Sequence, residues 1–219
     1  MRRRASSAVA GRRERAAETR AAILAAAERI FAERGLAGAR TDAIAARAGV
    51  NKALLYYYFK DKDALYLAVL DDQFSEFHRQ AMQVLESEGS ARSVLLRYVS
   101  LHLDFIGARH RFAPLFQQMM MTGGKPFERL VRKYFAPRAE ALGRLIERGM
   151  REGEFRRGDR EHVAVSVVAL IVFYFSSEPV MRMLGRRDAF SAANLKRRKR
   201  EVLDFIRYGL FLRPEASVA

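Results

Sequence analysis

Thr41-Asp42-Ala43-Ile44-Ala45-Ala46-Arg47-Ala48-Gly49-Val50-Asn51-Lys52-Ala53-Leu54-Leu55-Tyr56-Tyr57-Tyr58-Phe59-Lys60-Asp61 carries the densest local signals in this chain. Thr41 can cap a helix of barely two turns, and Gly49 supplies the permissive backbone for a tight turn at its end. Asn51 can cap a second helix, Lys52 to about Tyr58, and Asp61 a third. Ile44, Ala45, Ala48, Val50, Leu55 and Phe59 are available to lock the first two helices together. Two short helices joined through a glycine turn meet the requirements of a DNA-reading helix-turn-helix, with the second helix as the reading element. Val50, Leu55 and Phe59 are spaced to point inward. Lys52, Ala53, Leu54, Tyr56 and Tyr57 are then left outside near the helix start, where such helices reach base edges.

Upstream, Ala17 to Arg34 places Ile23, Ala27, Ile30 and Phe31 on one helical face, and Gly35 ends the run. Residues 1–16 hold arginines and small residues with nothing to bury, and are expected to form a disordered basic arm. Such an arm is either a solvated tail or a minor-groove extension. Downstream, helical periodicity continues over about 61–87, 90–108, 111–121, 125–150, 159–183 and 190–212. Period-2 alternation and hairpin turn signals are lacking, so the chain is expected to be all-α.

The formal charge is +15 over 219 residues, and residues 1–60 hold 13 Lys and Arg against 5 Asp and Glu. Positive charge gathered near a reading helix is the footprint of a phosphate-binding face. The five cations Lys196–Arg200 lie far from the motif and read either as a solvated face or as a further DNA contact. Cysteine is absent, which excludes disulfides, thiolate nucleophiles and Cys-containing metal sites. The N-terminus lacks the apolar core of a signal peptide. The greasiest run, Val163 to Phe175, is about half the roughly 20 residues a membrane helix requires, so a cytoplasmic protein without membrane contact is expected. A Gly-rich phosphate loop, a Gly-x-Ser-x-Gly elbow and a His-Glu-x-x-His motif are all missing. The four histidines are scattered, so neither catalysis nor a metal or other cofactor is expected. A non-specific architectural DNA-binding protein is the main alternative to a sequence-specific one, and an α-helical enzyme the remoter one.

The run Ile44-Ala45 … Ala48-Gly49-Val50-Asn51 … Leu54-Leu55-Tyr56-Tyr57-Tyr58-Phe59 … Asp61-Lys62 … Leu65 resembles the "IA..AGVS.GTLY.HF.SK..L" signature of the TetR (tetracycline repressor) family of transcriptional regulators. The resemblance implies an N-terminal three-helix helix-turn-helix head over 17–64, with the helix-turn-helix at about 41–60. A C-terminal helical bundle for effector binding and dimerisation would occupy 65–219. It assigns Thr41, Tyr56 and Lys62 to phosphates of double-stranded operator DNA, and Lys52, Ala53, Leu54 and Tyr57 to base edges. Ala53, Leu54 and Tyr58 depart from the family's common Gly, Thr or Ala, and His, which leaves the fold intact and bears on operator sequence.

Arg148-Gly149-Met150-Arg151-Glu152-Gly153-Glu154-Phe155 is similar to the family's "G...G.F" link, and Val202 to Leu210 to its closing helix. The resemblance implies a homodimer through about 159–183 and 195–212, a pseudo-palindromic operator, and repression relieved by a small hydrophobic effector. The helix over 61–87 would act as the lever between the two functions. His102, Phe105, Phe116, Met120, Phe173 and Tyr174 are the candidate effector-binding residues. Arg109, His110 and Glu178, with His102, are candidate polar anchors, each alternatively an ordinary surface or core group.

Overall fold

The computed structural model describes residues 2–109, 119–121, 123–186 and 188–212, except for the side chains of 2–10 and 126. Among them there is no strand, so the all-α expectation holds; one isolated antiparallel bridge joins Phe155 to Phe211. The chain forms two compact units, Met1–Gln73 and Phe74–Ala219.

The first unit holds α1 (Arg2–Gly38), α2 (Thr41–Arg47), α3 (Lys52–Tyr58) and the start of α4 (Lys62–Leu85). The expected disordered arm over 1–16 is instead helical from Arg2 onward. Alanine and arginine are strong helix formers, and with Gly11 as the single breaker the stretch continues the helix that follows it. Gly35 breaks α1 where the sequence places the stop, with φ of 66°. Ile23, Ala27, Ile30 and Phe31 form the inner face of α1, together with Ile44, Leu55, Phe59, Leu65 and Leu70 in the core of this unit. The Phe31 and Tyr66 rings meet edge to face at 5.1 Å. Burial of Leu65, Tyr66, Val69 and Leu70 carries the first unit into α4, beyond the boundary expected after residue 64.

The second unit holds the rest of α4, then α5 (Ala91–Ala108), α6 (Gly124–Leu130), a π-helical turn (Val131–Phe135), α7 (Ala136–Arg151), α8 (Arg160–Ser176), α9 (Glu178–Met183) and α10 (Ala192–Leu210). Its core is built from one stripe of each long helix: Phe77 and Ala81 of α4; Val94, Leu95 and Tyr98 of α5; Leu142, Leu145 and Ile146 of α7; Val167 and Ile171 of α8; Val202 and Ile206 of α10.

The glycine-rich link has a steric reason. A Cβ on Gly149 would lie 2.3 Å from the Phe155 ring, Gly153 has φ of 70°, and Phe155 is fully buried and stacks on Phe211 at 5.4 Å. Glu154 closes the corner by accepting from the N–H groups of Ala91 (3.2 Å) and Arg92 (2.8 Å) at the start of α5.

The helix expected over 159–183 is two helices, parted at Ser177. Pro179 lacks an N–H and its ring would strike the carbonyl a turn earlier, so α8 cannot run through it. Most of the segment expected as a helix over 111–121 lies outside the described residues, although Met119–Met121 are helical.

Candidate nucleic-acid interface

α2 ends where Gly49 turns to φ of 69°, and the Val50 N–H donates back to the Ala45 carbonyl (3.0 Å). Asn51 then caps α3, its Oδ1 accepting from the Leu54 N–H at 2.7 Å, and Asp61 caps α4 by accepting from Ala64 at 2.7 Å. Both caps match the sequence reading. Thr41 does not cap α2: Arg40 holds that position without a side-chain bond. As the first helical residue, Thr41 instead turns its hydroxyl toward Tyr56, 3.3 Å from the phenol oxygen.

Ile44, Ala45, Leu55 and Phe59 are buried between the helices, while Lys52, Ala53, Tyr56 and Tyr57 share the exposed face of α3. Tyr57 is 81% exposed, and Leu54 and Tyr58 are half-buried beside it. The Tyr57 ring meets Tyr58 edge to face at 5.4 Å and otherwise stands open, leaving most of the phenol free for a partner. Lys52 pairs with Asp42 at 2.9 Å. That hydrogen bond and its charge hold the Asp42 carboxyl below the usual carboxylate range and raise the Lys52 ammonium. Lys62 donates to the carbonyls of Ala37 (3.5 Å) and Ala39 (3.3 Å), where α1 ends. The Thr41–Tyr56 and Lys52–Asp42 contacts thus join α2 to α3 through polar, basic and aromatic groups whose chemistry can serve phosphates and base edges.

The predicted effector residues divide. His102 and Phe105 lie together on α5 against Phe77, with ring centroids 4.4 and 4.8 Å from it. Burial above all, and then the Arg138 charge, pushes the His102 imidazole down to about 3. Tyr174 is half-buried elsewhere in the unit; its hydroxyl donates to the Ala189 carbonyl (2.7 Å) and the Arg198 guanidinium covers its ring at 5.0 Å. Phe173 and Met120 are not brought to the His102 cluster. Phe173 is 72% exposed, because α8 is apolar on both faces and Ile171 and Phe175 take the inner one. Met120 is exposed as well.

Phe116 and His110 lie outside the described residues. Arg109 covers the Phe105 ring at 4.1 Å, and Glu178 pairs with Arg182 along α9. A cleft of about 350 Å³ between α5 and α10 is lined by Leu103, Gly107, Phe175, Leu195 and Arg198, and by none of the predicted effector residues. The sequence reading passed over Arg138, which is 6% exposed. Its signal was the spacing that puts it on the same helical face as Leu142, Leu145 and Gly149.

Among the described residues no group of three or more His, Asp or Glu could hold a metal, and no helix is long and apolar enough to cross a membrane. Residues 23–69 match the family described as "Bacterial regulatory proteins, tetR family", and residues 92–206 match "Tetracyclin repressor-like, C-terminal domain". The transcriptional repressor NicS of Pseudomonas putida is 27% identical over 201 residues, covering 89% of this chain and 92% of NicS. A transcriptional regulator from Saccharomonospora viridis, solved in complex with choline, has the same fold with a TM-score of 0.73 at 24% identity, covering 90% of this chain and all of that one. FadR of Bacillus subtilis, solved with stearoyl-CoA, gives 0.68 at 19% identity, covering 84% of this chain and 96% of FadR.

Proposed function

The chain belongs to the TetR family of bacterial DNA-binding transcriptional regulators, and we propose that it is a cytoplasmic, dimeric repressor whose two α3 helices read an inverted-repeat operator until a small molecule releases them. The carrying observation is the exposed face of α3, with Lys52, Ala53, Tyr56 and Tyr57 outward over a buried lock of Ile44, Leu55 and Phe59. In this reading Thr41, Tyr56 and Lys62 hold phosphates and set register, while Lys52, Ala53, Leu54 and Tyr57 meet base edges. Lys52 and Lys62 exchange their present partners, Asp42 and the carbonyls of Ala37 and Ala39, for DNA.

Two stripes at helical spacing support the dimer: Val165, Ala169 and Phe173 on α8, and Phe205, Tyr208 and Leu212 along α10 and just past its end, are all exposed. A helix apolar on all sides is a buried helix, and α8 is covered on one side only by its own subunit. Two-fold pairing through these helices presents two reading helices to successive major-groove faces. NicS is named a repressor, and the two structural neighbours hold small molecules; both facts favour repression relieved by an effector bound in the second unit. Effector and operator then weaken each other's binding by linkage.

Footprinting of the DNA flanking the gene tests the reading. A protected inverted repeat is expected that survives excess unrelated DNA and is lost in the Lys52→Ala, Tyr56→Ala double variant. Protection that spreads over any sequence would favour an architectural DNA-binding protein instead.

A further inference from the structure

Three elements of the second unit converge on one buried arginine. α5 contributes Tyr98, His102 and Phe105, spaced along one helical face, and α4 contributes Phe77 and His78. The π-helical turn delivers Tyr134 and Phe135 just before α7 opens with Arg138. The Arg138 guanidinium lies over the rings of Phe77 (4.7 Å) and Phe135 (4.8 Å). Its Nη1 is buried without a hydrogen-bond partner among the described residues, as are Nδ1 of His102 and Nδ1 of His78. The titratable groups that share its field are Tyr98, His102 and His78, none of them negative at neutral pH; Glu86 is the carboxylate that acts on His78, and it does not figure among the groups acting on Arg138.

A buried guanidinium without a counter-charge is among the most costly groups a core can hold, and rings over its faces satisfy none of its in-plane donors. π-helical turns are likewise costly and recur at functional sites. We infer that Arg138, with His102 and His78 beside it, anchors the effector site, and that the effector is an anion: a carboxylate carried on an apolar or aromatic body. This deepens, and rests on, the effector reading above. The guanidinium can take both carboxylate oxygens through paired N–H donors. His102, neutral because of its burial, can add a donor without adding charge. Phe77, Phe105 and Phe135 supply the apolar walls. A quaternary ammonium such as choline would meet like charge here. Since Nη1 is enclosed, entry requires the rings over it to part, which ties occupancy to a rearrangement of α4, α5 and α7.

The test is thermal unfolding of the full chain with acetate, hexanoate, decanoate and benzoate, each against its amide, with release of the footprinted operator measured alongside. At least one acid is expected to raise the melting temperature while its amide does not. Arg138→Met is expected to lose that response and, freed of an unpaired charge, to melt higher than wild type without ligand. Equal stabilisation by an amide, no response to any acid, or a retained response in Arg138→Met would overturn the anionic site. If Arg138→Met does not fold, Arg138→Lys carries the test: it keeps the charge but not the paired donors, and acid binding weaker by about tenfold or more is expected; unchanged affinity overturns the proposal. Release of operator by a neutral amide alone would overturn the anionic site and leave the effector reading standing. Acids that bind through Arg138 without releasing operator would do the reverse.

Discussion

His102 is buried against Phe77 and Tyr98, and the native imidazole resists protonation down to about 3 from an ordinary 6.5. Between those values the unfolded chain binds a proton that the native one refuses. Stability is therefore full above pH 6.5 and is lost as pH falls through that window, at up to about 1.4 kcal/mol per pH unit. Urea unfolding across the window should show a shallower pH slope for His102→Gln than for wild type; parallel slopes would mean that the native imidazole titrates normally. At the opposite extreme of exposure, Tyr57→Ala should shift unfolding by no more than about 0.5 kcal/mol while weakening operator binding in an anisotropy titration. Single residues were legible where helical phase sufficed, as with Leu55 and Phe59 inside and Tyr57 outside. They were not where contacts come from distant sequence: nothing near Lys52 announces Asp42, and nothing near His102 announces Arg138.

Helix boundaries follow local chemistry closely in this chain. Asn51 and Asp61 cap as their positions imply, because a short side-chain oxygen just ahead of a helix can reach the free N–H groups of its first turn. Asn51→Ala should cost about 1 kcal/mol in urea unfolding, and it should lower operator affinity further because α3 frays at its reading end. Thr41 shows the limit of the rule: the chain enters α2 one residue earlier, which frees the hydroxyl for Tyr56. The link at Gly149 and Phe155 offers a sharper test. Gly149→Ala sets a methyl against a ring held by Phe211, and should destabilise by about 1–3 kcal/mol; truncating Phe155 in the same chain should relieve part of that penalty. The sequence spacing marked these residues as a pattern, whereas their reason, a ring lying on a glycine Cα, needed the fold.

For the molecule as a whole, the all-α class followed from periodicity, but which apolar faces stay uncovered did not. The resemblance places Phe173 among the effector candidates, and the residue lies on the outer stripe with Val165. A helix apolar on every side cannot be phased by sequence, because both faces look like core. Phe173→Glu combined with Phe205→Glu should give monomers by analytical ultracentrifugation, with helical circular dichroism retained and operator binding lost; a double variant that stays dimeric would move the interface elsewhere. In the proposed dimer these stripes are hidden only by pairing. At expression levels below the pairing constant, operator occupancy then follows the square of subunit abundance. A cell that inherits half its share of this regulator at division would lose more than half of its repression, so the stripes on α8 and α10 make the controlled genes sensitive to dosage and to partitioning noise.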